Sequence, residues 1–142
     1  MFKADCPFCR IASHDVEAVI VYEDSELMAI LDKFPATRGH TLVLTKEHIE
    51  NIYSMPVELG ARIMALTITL SRTMKRELSP DGLNLIQSND IAAGQTIPHF
   101  HLHIVPRYKG DPVLLKFGHG TKPANLDELK KTALLFRTRP IG

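Results

Sequence analysis

Histidine is the side chain whose ordinary charge change lies near neutral pH, so it can serve as nucleophile, proton donor or metal ligand. Three histidines alternate with apolar residues in His99-Phe100-His101-Leu102-His103-Ile104, which runs on into Val105-Pro106-Arg107. Successive strand side chains point to opposite faces, so as a strand this stretch sets three imidazoles on one side and Phe100, Leu102 and Ile104 on the other. One face is suited to chemistry and the other to a core. A wet strand face is more simply made from Thr, Lys or Glu, so three aligned histidines ask for a function.

A second cluster is Cys6-Pro7-Phe8-Cys9, which holds the only two cysteines of the chain. In a reducing compartment a two-residue gap points to metal binding or redox chemistry rather than to a structural disulfide. A thioredoxin-like role needs a strand before the pair and a long helix after it, and the strand is missing, which favours metal. Zinc takes four tetrahedral N and S ligands, so two imidazoles must come from among His14, His40, His48, His99 and His119. The third feature is the small-residue loop Ala93-Gly94-Gln95-Thr96, just ahead of the histidine strand. Its backbone N–H groups and hydroxyl can approach phosphate oxygens, and a neutral imidazole is a competent nucleophile towards phosphorus.

These groups must be positioned by the elements around them. After a helical turn ending near His14, Glu17–Tyr22 and Glu26–Leu31 are β-rich runs separated by Asp24-Ser25, a hairpin turn. The Pro- and Gly-containing loop 32–39 returns to a strand at His40–Thr45, which leaves Asp32 at a strand end. Lys46–Asn51 reads as a short helical connector. From Met55 to Leu78, Leu59, Ile63, Leu66, Leu70, Met74 and Leu78 recur at three- and four-residue steps, which predicts one long helix with Pro56 in its first turn and a core-facing stripe. Ser79-Pro80-Asp81-Gly82 breaks the chain, Leu83–Gln87 is a strand, and a final helix runs from a cap at Asn125 through Leu135. Strands, one long helix, strands and a terminal helix imply an antiparallel α+β domain with the helix on one sheet face and the histidines on the other.

Composition narrows the classes of partner. A chain of 142 residues is expected to be one domain, large enough for a core. Lys plus Arg is 17 against 16 for Asp plus Glu, a formal +1, so no field suits nucleic acid or an anionic membrane surface. The start Met1-Phe2-Lys3-Ala4-Asp5 lacks an apolar signal core and no apolar run has the length of a membrane span, so a cytoplasmic location is expected.

The sequence resembles the histidine triad (HIT) superfamily, whose motif His-φ-His-φ-His-φ-φ, with φ apolar, is matched by His99 to Val105. The resemblance covers nearly the whole chain, including Gly39-His40-Thr41-Leu42-Val43 and Ala93-Gly94-Gln95-Thr96. The ending Ile104-Val105-Pro106-Arg107 and the N-terminal CxxC are most similar to the bacterial Hit-like and diadenosine polyphosphate hydrolase branches. It implies one HIT domain over residues 1–142, a homodimer and one structural zinc per chain held by Cys6, Cys9, His48 and His99. By position, His101 would be the nucleophile at the α-phosphorus of an adenosine nucleotide and His103 would hydrogen-bond that phosphate. Gly94, Gln95 and Thr96 would cradle it, Asp32 would hold the ribose hydroxyls, and Phe8, Ile11 and Ile30 would line the base pocket. Ser88 would stand among the substrate-binding residues where relatives often carry Asn or Gln, and the adjacent Asn89 points to the opposite strand face. His40 would be a supporting partner of the triad, whereas His14 and His119 read as solvated.

The implied activity is nucleotidyl hydrolysis or transfer through an adenylyl-histidine, on diadenosine polyphosphates or adenosine phosphoramidates. The alternative is a purine-nucleotide-binding adaptor with negligible turnover. A metallohydrolase with zinc on His99, His101 and His103 is disfavoured, because alternate strand residues stand nearly 7 Å apart at about 3.4 Å per residue.

Overall fold

The computed structural model describes residues 1–115, 122–138 and 140–141, so His119 lies outside the described residues. Its elements in chain order are α1 (Pro7–Ala12), β1 (Ile20–Glu23), β2 (Leu27–Leu31), β3 (Thr41–Thr45), α2 (Val57–Leu78), β4 (Gly82–Gln87), β5 (His101–Arg107) and α3 (Leu126–Phe136), with 3₁₀ turns at Ile52–Ser54 and Ile91–Ala93. The strands form one antiparallel sheet in the order β1-β2-β3-β5-β4. This is the α+β arrangement expected from the order of elements.

The hairpin β1–β2 is set by Asp24, whose Oδ1 accepts from the N–H groups of Glu26 and Leu27, both at 2.8 Å. Such a side-chain turn is why Asp recurs at these positions. The ladder starts at Ile20, three residues later than the β-rich run suggests, and a bulge between Ile20 and Tyr22 shifts its register. In the middle of the sheet, β2 and β3 carry side chains buried on both faces. Leu27, Ala29, Val43, Leu102 and Ile104 pack against Leu59, Ile63, Leu66 and Met74 of α2. Met28, Ile30, Leu42 and Leu44 pack on the opposite face with Cys6, Phe8 and Cys9. His101 pairs across the ladder with Leu44 and His103 with Leu42, so both histidines share that second face.

α2 begins after Pro56, which is its cap rather than a residue of its first turn, and ends at Ser79 in the left-handed region, φ 47°. Asn125 caps α3 as expected, accepting from Asp127 and Glu128 N–H. Two expectations are corrected. Lys46–Asn51 forms no helix, because its backbone groups serve other segments: Lys46 N–H donates to Glu26, Ile49 carbonyl accepts from Phe100 N–H and Glu50 carbonyl accepts from the Gln95 amide. An i→i−4 ladder cannot form when its donors and acceptors are already paired. The histidine strand starts at His101, not His99; His99 N–H donates to Ile97 at 2.8 Å and stays out of the ladder. His99 nevertheless keeps to the face of the other two, since Cys6, Phe8 and Cys9 of that face touch its ring, while Phe100 joins Leu102 and Ile104 in the core beside α2.

Candidate active site and metal centre

α1 follows a Cys6 cap whose Sγ accepts from Cys9 N–H at 3.4 Å, with Pro7 in the first turn. This turn aims both thiols at two histidines from distant parts of the chain. Cys6 Sγ lies 3.3 Å from His99 Nδ1, Cys9 Sγ lies 3.3 Å from His48 Nδ1 and 3.6 Å from His99 Nδ1. The four ligand atoms all lie within 4.8 Å of one another. Zn–S near 2.3 Å and Zn–N near 2.0 Å at tetrahedral angles require S···N separations of roughly 3.6 Å, which these atoms meet.

The proton inventory fits a metal as well. His99, fully buried, places Nε2 at 2.7 Å from the Thr45 carbonyl, so that nitrogen carries the proton and Nδ1 offers its lone pair to the thiols. Burial first, then the neighbouring His48 and His101, pushes the His99 pKa down to about 4, which keeps it a neutral ligand. Burial also raises the Cys6 thiol, a shift that a bound cation would reverse. His48 Nε2 is buried and has no hydrogen-bond partner among the described residues, so that histidine is held through Nδ1 alone. Cys6, Cys9, His48 and His99 therefore fit zinc in ligand type, number, spacing and protonation.

The cavity that suits a nucleotide lies beside this cluster and has a volume of 850 Å³. Its walls include Phe8, Ile11, Ile30, Asp32, Thr96, His101 and His103, and also Ala18, Val19, Leu42 and Ile97, to which the sequence assigned no site role. Leu42 had a usable signal, since an alternating strand next to the triad strand must present residues to the same face. Phe8 joins the two sites, with its ring edge-on to His99 at 5.7 Å and to His101 at 4.9 Å between centroids.

His101 Nδ1 stands 2.8 Å from the His99 carbonyl, so Nδ1 donates and Nε2 is left as a lone pair. Burial lowers the pKa of His101, which favours the neutral, nucleophilic form. His103 is adjacent, 5.0 Å between ring centroids, and is pushed down to about 4 by burial and then by His101 and His40. His40 Nε2 lies 2.9 Å from His103 Nδ1 and 3.4 Å from Asp32 Oδ2. The remaining Asp32 oxygen, Oδ1, accepts from Phe34 N–H at 2.8 Å.

Three of the expected contact residues do not line this cavity. In the loop, the N–H groups of Ala93 and Gln95 donate to Asp90 and that of Gly94 to Ile91. The buried Gln95 side chain accepts from Asp90 N–H and donates to the Glu50 carbonyl. Gly94, with φ 89°, and Gln95 thus shape the loop, while Thr96 is the member that reaches the cavity. Ser88 follows β4 and its carbonyl accepts from Gln87 Nε2. The neighbouring Asn89 accepts from Ile52 N–H and is turned away to hold the connector. His14 is exposed, as expected, and hydrogen-bonds Glu23 at 2.7 Å.

Comparison with known proteins bears on the same elements. The family model described as "HIT domain" matches residues 13–110. The chain is 43% identical over 108 residues to "Protein hit" of Bacillus subtilis, covering 75% of this chain and 74% of that one. A crystal structure of a zinc-bound histidine triad family protein from Mycobacterium smegmatis superposes with a TM-score of 0.73 at 39% identity, covering 81% of this chain and 84% of that one. That of a hypothetical histidine triad nucleotide-binding protein from Sulfolobus tokodaii gives a TM-score of 0.71 at 35% identity, covering 89% and 85%. With a histidine strand paired to β3, a thiol knuckle packed beneath it and a family match over most of its length, the chain belongs to the HIT family.

Proposed function

We propose that the protein is a nucleotidyl hydrolase or transferase that cleaves at the α-phosphate of adenosine nucleotides, diadenosine polyphosphates or adenosine phosphoramidates, through an adenylyl-His101 intermediate. The supporting observation is the bond from His101 Nδ1–H to the His99 carbonyl at 2.8 Å, which leaves Nε2 as a free lone pair at the cavity wall. In the first displacement Nε2 forms a bond to phosphorus as the bond to the leaving group breaks, and the leaving group takes a proton from solvent, which the attacking water returns in the second step. Water then attacks the same phosphorus, the N–P bond breaks, and AMP and neutral His101 are restored. The His99 carbonyl stabilises the imidazolium character that develops at Nδ1.

The other roles follow from position. Phe8, Ile11 and Ile30 hold the base, Asp32 the ribose hydroxyls, and Thr96 and His103 the phosphate, with Gly94 and Gln95 setting the loop and Ser88 on the leaving-group side. Zinc on Cys6, Cys9, His48 and His99 supplies a structural clamp. The exposed apolar side chains of Val57, Met64 and Leu85, on α2 and the edge strand β4, support a homodimer. Among the described residues no helix is long and apolar enough to cross a membrane.

The test is mass measurement on rapidly quenched protein with an adenosine phosphoramidate as substrate. Wild type should gain the mass of one adenylyl group. His101→Ala should gain none, should lose at least about 10³-fold in turnover and should keep nucleotide affinity. Hydrolysis by His101→Ala at the wild-type rate would sink the nucleophile assignment, and nucleotide binding by wild type without turnover would make the protein an adaptor.

A further inference from the structure

We propose that the backbone N–H of Ala36, in the loop between β2 and β3, fixes the proton positions of His40 and His103 and so makes His103 a hydrogen-bond donor into the cavity. The identity of the acceptor, a substrate phosphate oxygen, rests on the functional reading above. The proton positions do not.

Ala36 N–H lies 3.0 Å from His40 Nδ1. A backbone amide only donates, so Nδ1 must present its lone pair. Protonating Nδ1 would set two N–H groups against each other, which rules out one neutral tautomer of His40 and its imidazolium together. His40 therefore carries its single proton on Nε2. That nitrogen is 2.9 Å from His103 Nδ1 and 3.4 Å from Asp32 Oδ2, so the proton is directed mainly at His103. His103 Nδ1 accepts it, and its own proton must stand on Nε2, because which ring nitrogen is protonated is set by the bond the other one makes. His103 Nε2 makes no hydrogen bond among the described residues, and His103 lines the cavity with His101 and Thr96. Two rings in series carry the polarity of one main-chain amide to the place where a phosphate would sit.

Neighbouring groups hold this arrangement. Asp32 Oδ1 accepts from Phe34 N–H and shapes the loop that presents Ala36, while Oδ2 stays near His40 Nε2 as a second acceptor. Pro35, next in line, has no N–H to substitute for that of Ala36. Burial lowers the pKa of both imidazoles, which favours the singly protonated rings that this directionality needs. With the opposite tautomers, His103 would turn a lone pair towards the phosphate oxygens, and a donor would become a repulsive contact. Ala36 is thus a positioning residue acting through its backbone, and His40 is the ring that transmits its effect.

The experiment is ¹⁵N NMR of the histidine rings in zinc-loaded, full-length protein, with AMP as the probe ligand. Wild type should show His40 and His103 protonated on Nε2 and unprotonated on Nδ1, and the His103 Nε2–H signal should shift when AMP is added. A semisynthetic ester in which lactic acid replaces Ala36 removes only the N–H. It should populate both tautomers of each ring and lower kcat/KM for an adenosine phosphoramidate by about 10- to 100-fold, the worth of a hydrogen bond to a charged group. Ala36→Pro should do the same where its loop folds, and zinc content should be unchanged in both. Protonation of His103 on Nδ1 in wild type, or wild-type tautomers in the ester variant, would overturn the proposal. A wild-type protein with these tautomers and no turnover would refute the functional reading while leaving the proton arrangement in place.

Discussion

Removing zinc should cost stability first and catalysis second, and the size of both effects follows from where the ligands lie. Cys6 and Cys9 belong to the cap and body of α1, His48 follows β3 and His99 precedes β5, so a single ion there would tie α1 to two segments already joined by the β3–β5 ladder. An ion that binds only the folded chain stabilises it by about 2.7 kcal/mol when free zinc is 100 times Kd, and by about 4.1 kcal/mol at 1,000 times Kd. For 142 residues the entropy of unfolding is about 0.3 kcal/mol per kelvin, so chelation should lower Tm by roughly 9–14 °C. Phe8, only 6% exposed, lies between the two thiols and touches both His99 and His101. Freeing α1 loosens that ring and the base pocket it walls, and KM should rise about tenfold with a smaller change in kcat, as for lost uniform binding.

The assay is scanning calorimetry with and without a chelator, beside metal analysis and steady-state kinetics. About one zinc per chain is expected. Cys9→Ser should reproduce the drop in Tm without chelator and respond little to it. A metal-free protein with unchanged Tm, or zinc retained by a Cys6→Ser/Cys9→Ser double mutant, would refute the assignment. Loss of turnover before any loss of stability would mean that the ion acts on the substrate.

Two further outcomes follow from local geometry. His103 is held at about 4 against 6.5 for a free imidazole, so between those values the unfolded chain binds the extra proton and stability falls as pH drops from 6.5 towards 4. Full burial would set this loss near 3 kcal/mol; the open cavity beside His103 screens it to on the order of 1–2 kcal/mol. Urea titrations at neutral pH and near the lower limit should show it in wild type and less of it in His103→Asn, and equal slopes would refute it. Gly39 has φ 90°, and an added Cβ would meet Leu78 Cδ1 at 2.6 Å and Pro106 Cγ at 3.3 Å. Gly39→Ala should lower Tm by about 7–10 °C, from roughly 2–3 kcal/mol of backbone strain and crowding, and an unchanged melt would show that Leu78 moves aside freely.

What the sequence made legible was governed by period and by spacing. The three- and four-residue recurrence in α2 and the Asp24 turn act locally, so each could be read without knowing the fold. The alternation His101, Leu102, His103, Ile104 foretold two faces correctly, since a strand paired on both sides keeps its pleat. His99 keeps to the same face although it lies outside the ladder, its N–H bonded to Ile97 two residues back and its ring held by the Thr45 carbonyl. Lys46–Asn51 misled, because its residue types suit a helix while its backbone groups are claimed by β2, Phe100 and Gln95. Gln95 likewise has the composition of a phosphate contact and the bonds of a brace. In each case a non-local hydrogen bond outweighed a local preference of a few tenths of a kcal/mol.

The departure of His99 from the strand is what allows one short motif to serve two sites. Its side chain stays on the face of His101 and His103, but its backbone is free of the ladder. Leaving the ladder puts its carbonyl 2.8 Å from His101 Nδ1 and its ring among the thiols at the same time. The backbone of the proposed metal ligand thereby orients the proposed nucleophile, and Phe8, between the two thiols in sequence, packs against that same ring. A displacement of His99 is consequently felt at His101 through a hydrogen bond to its ring and a packing contact at its edge. This double connection couples the proposed zinc cluster to the proposed nucleotide cavity beside it.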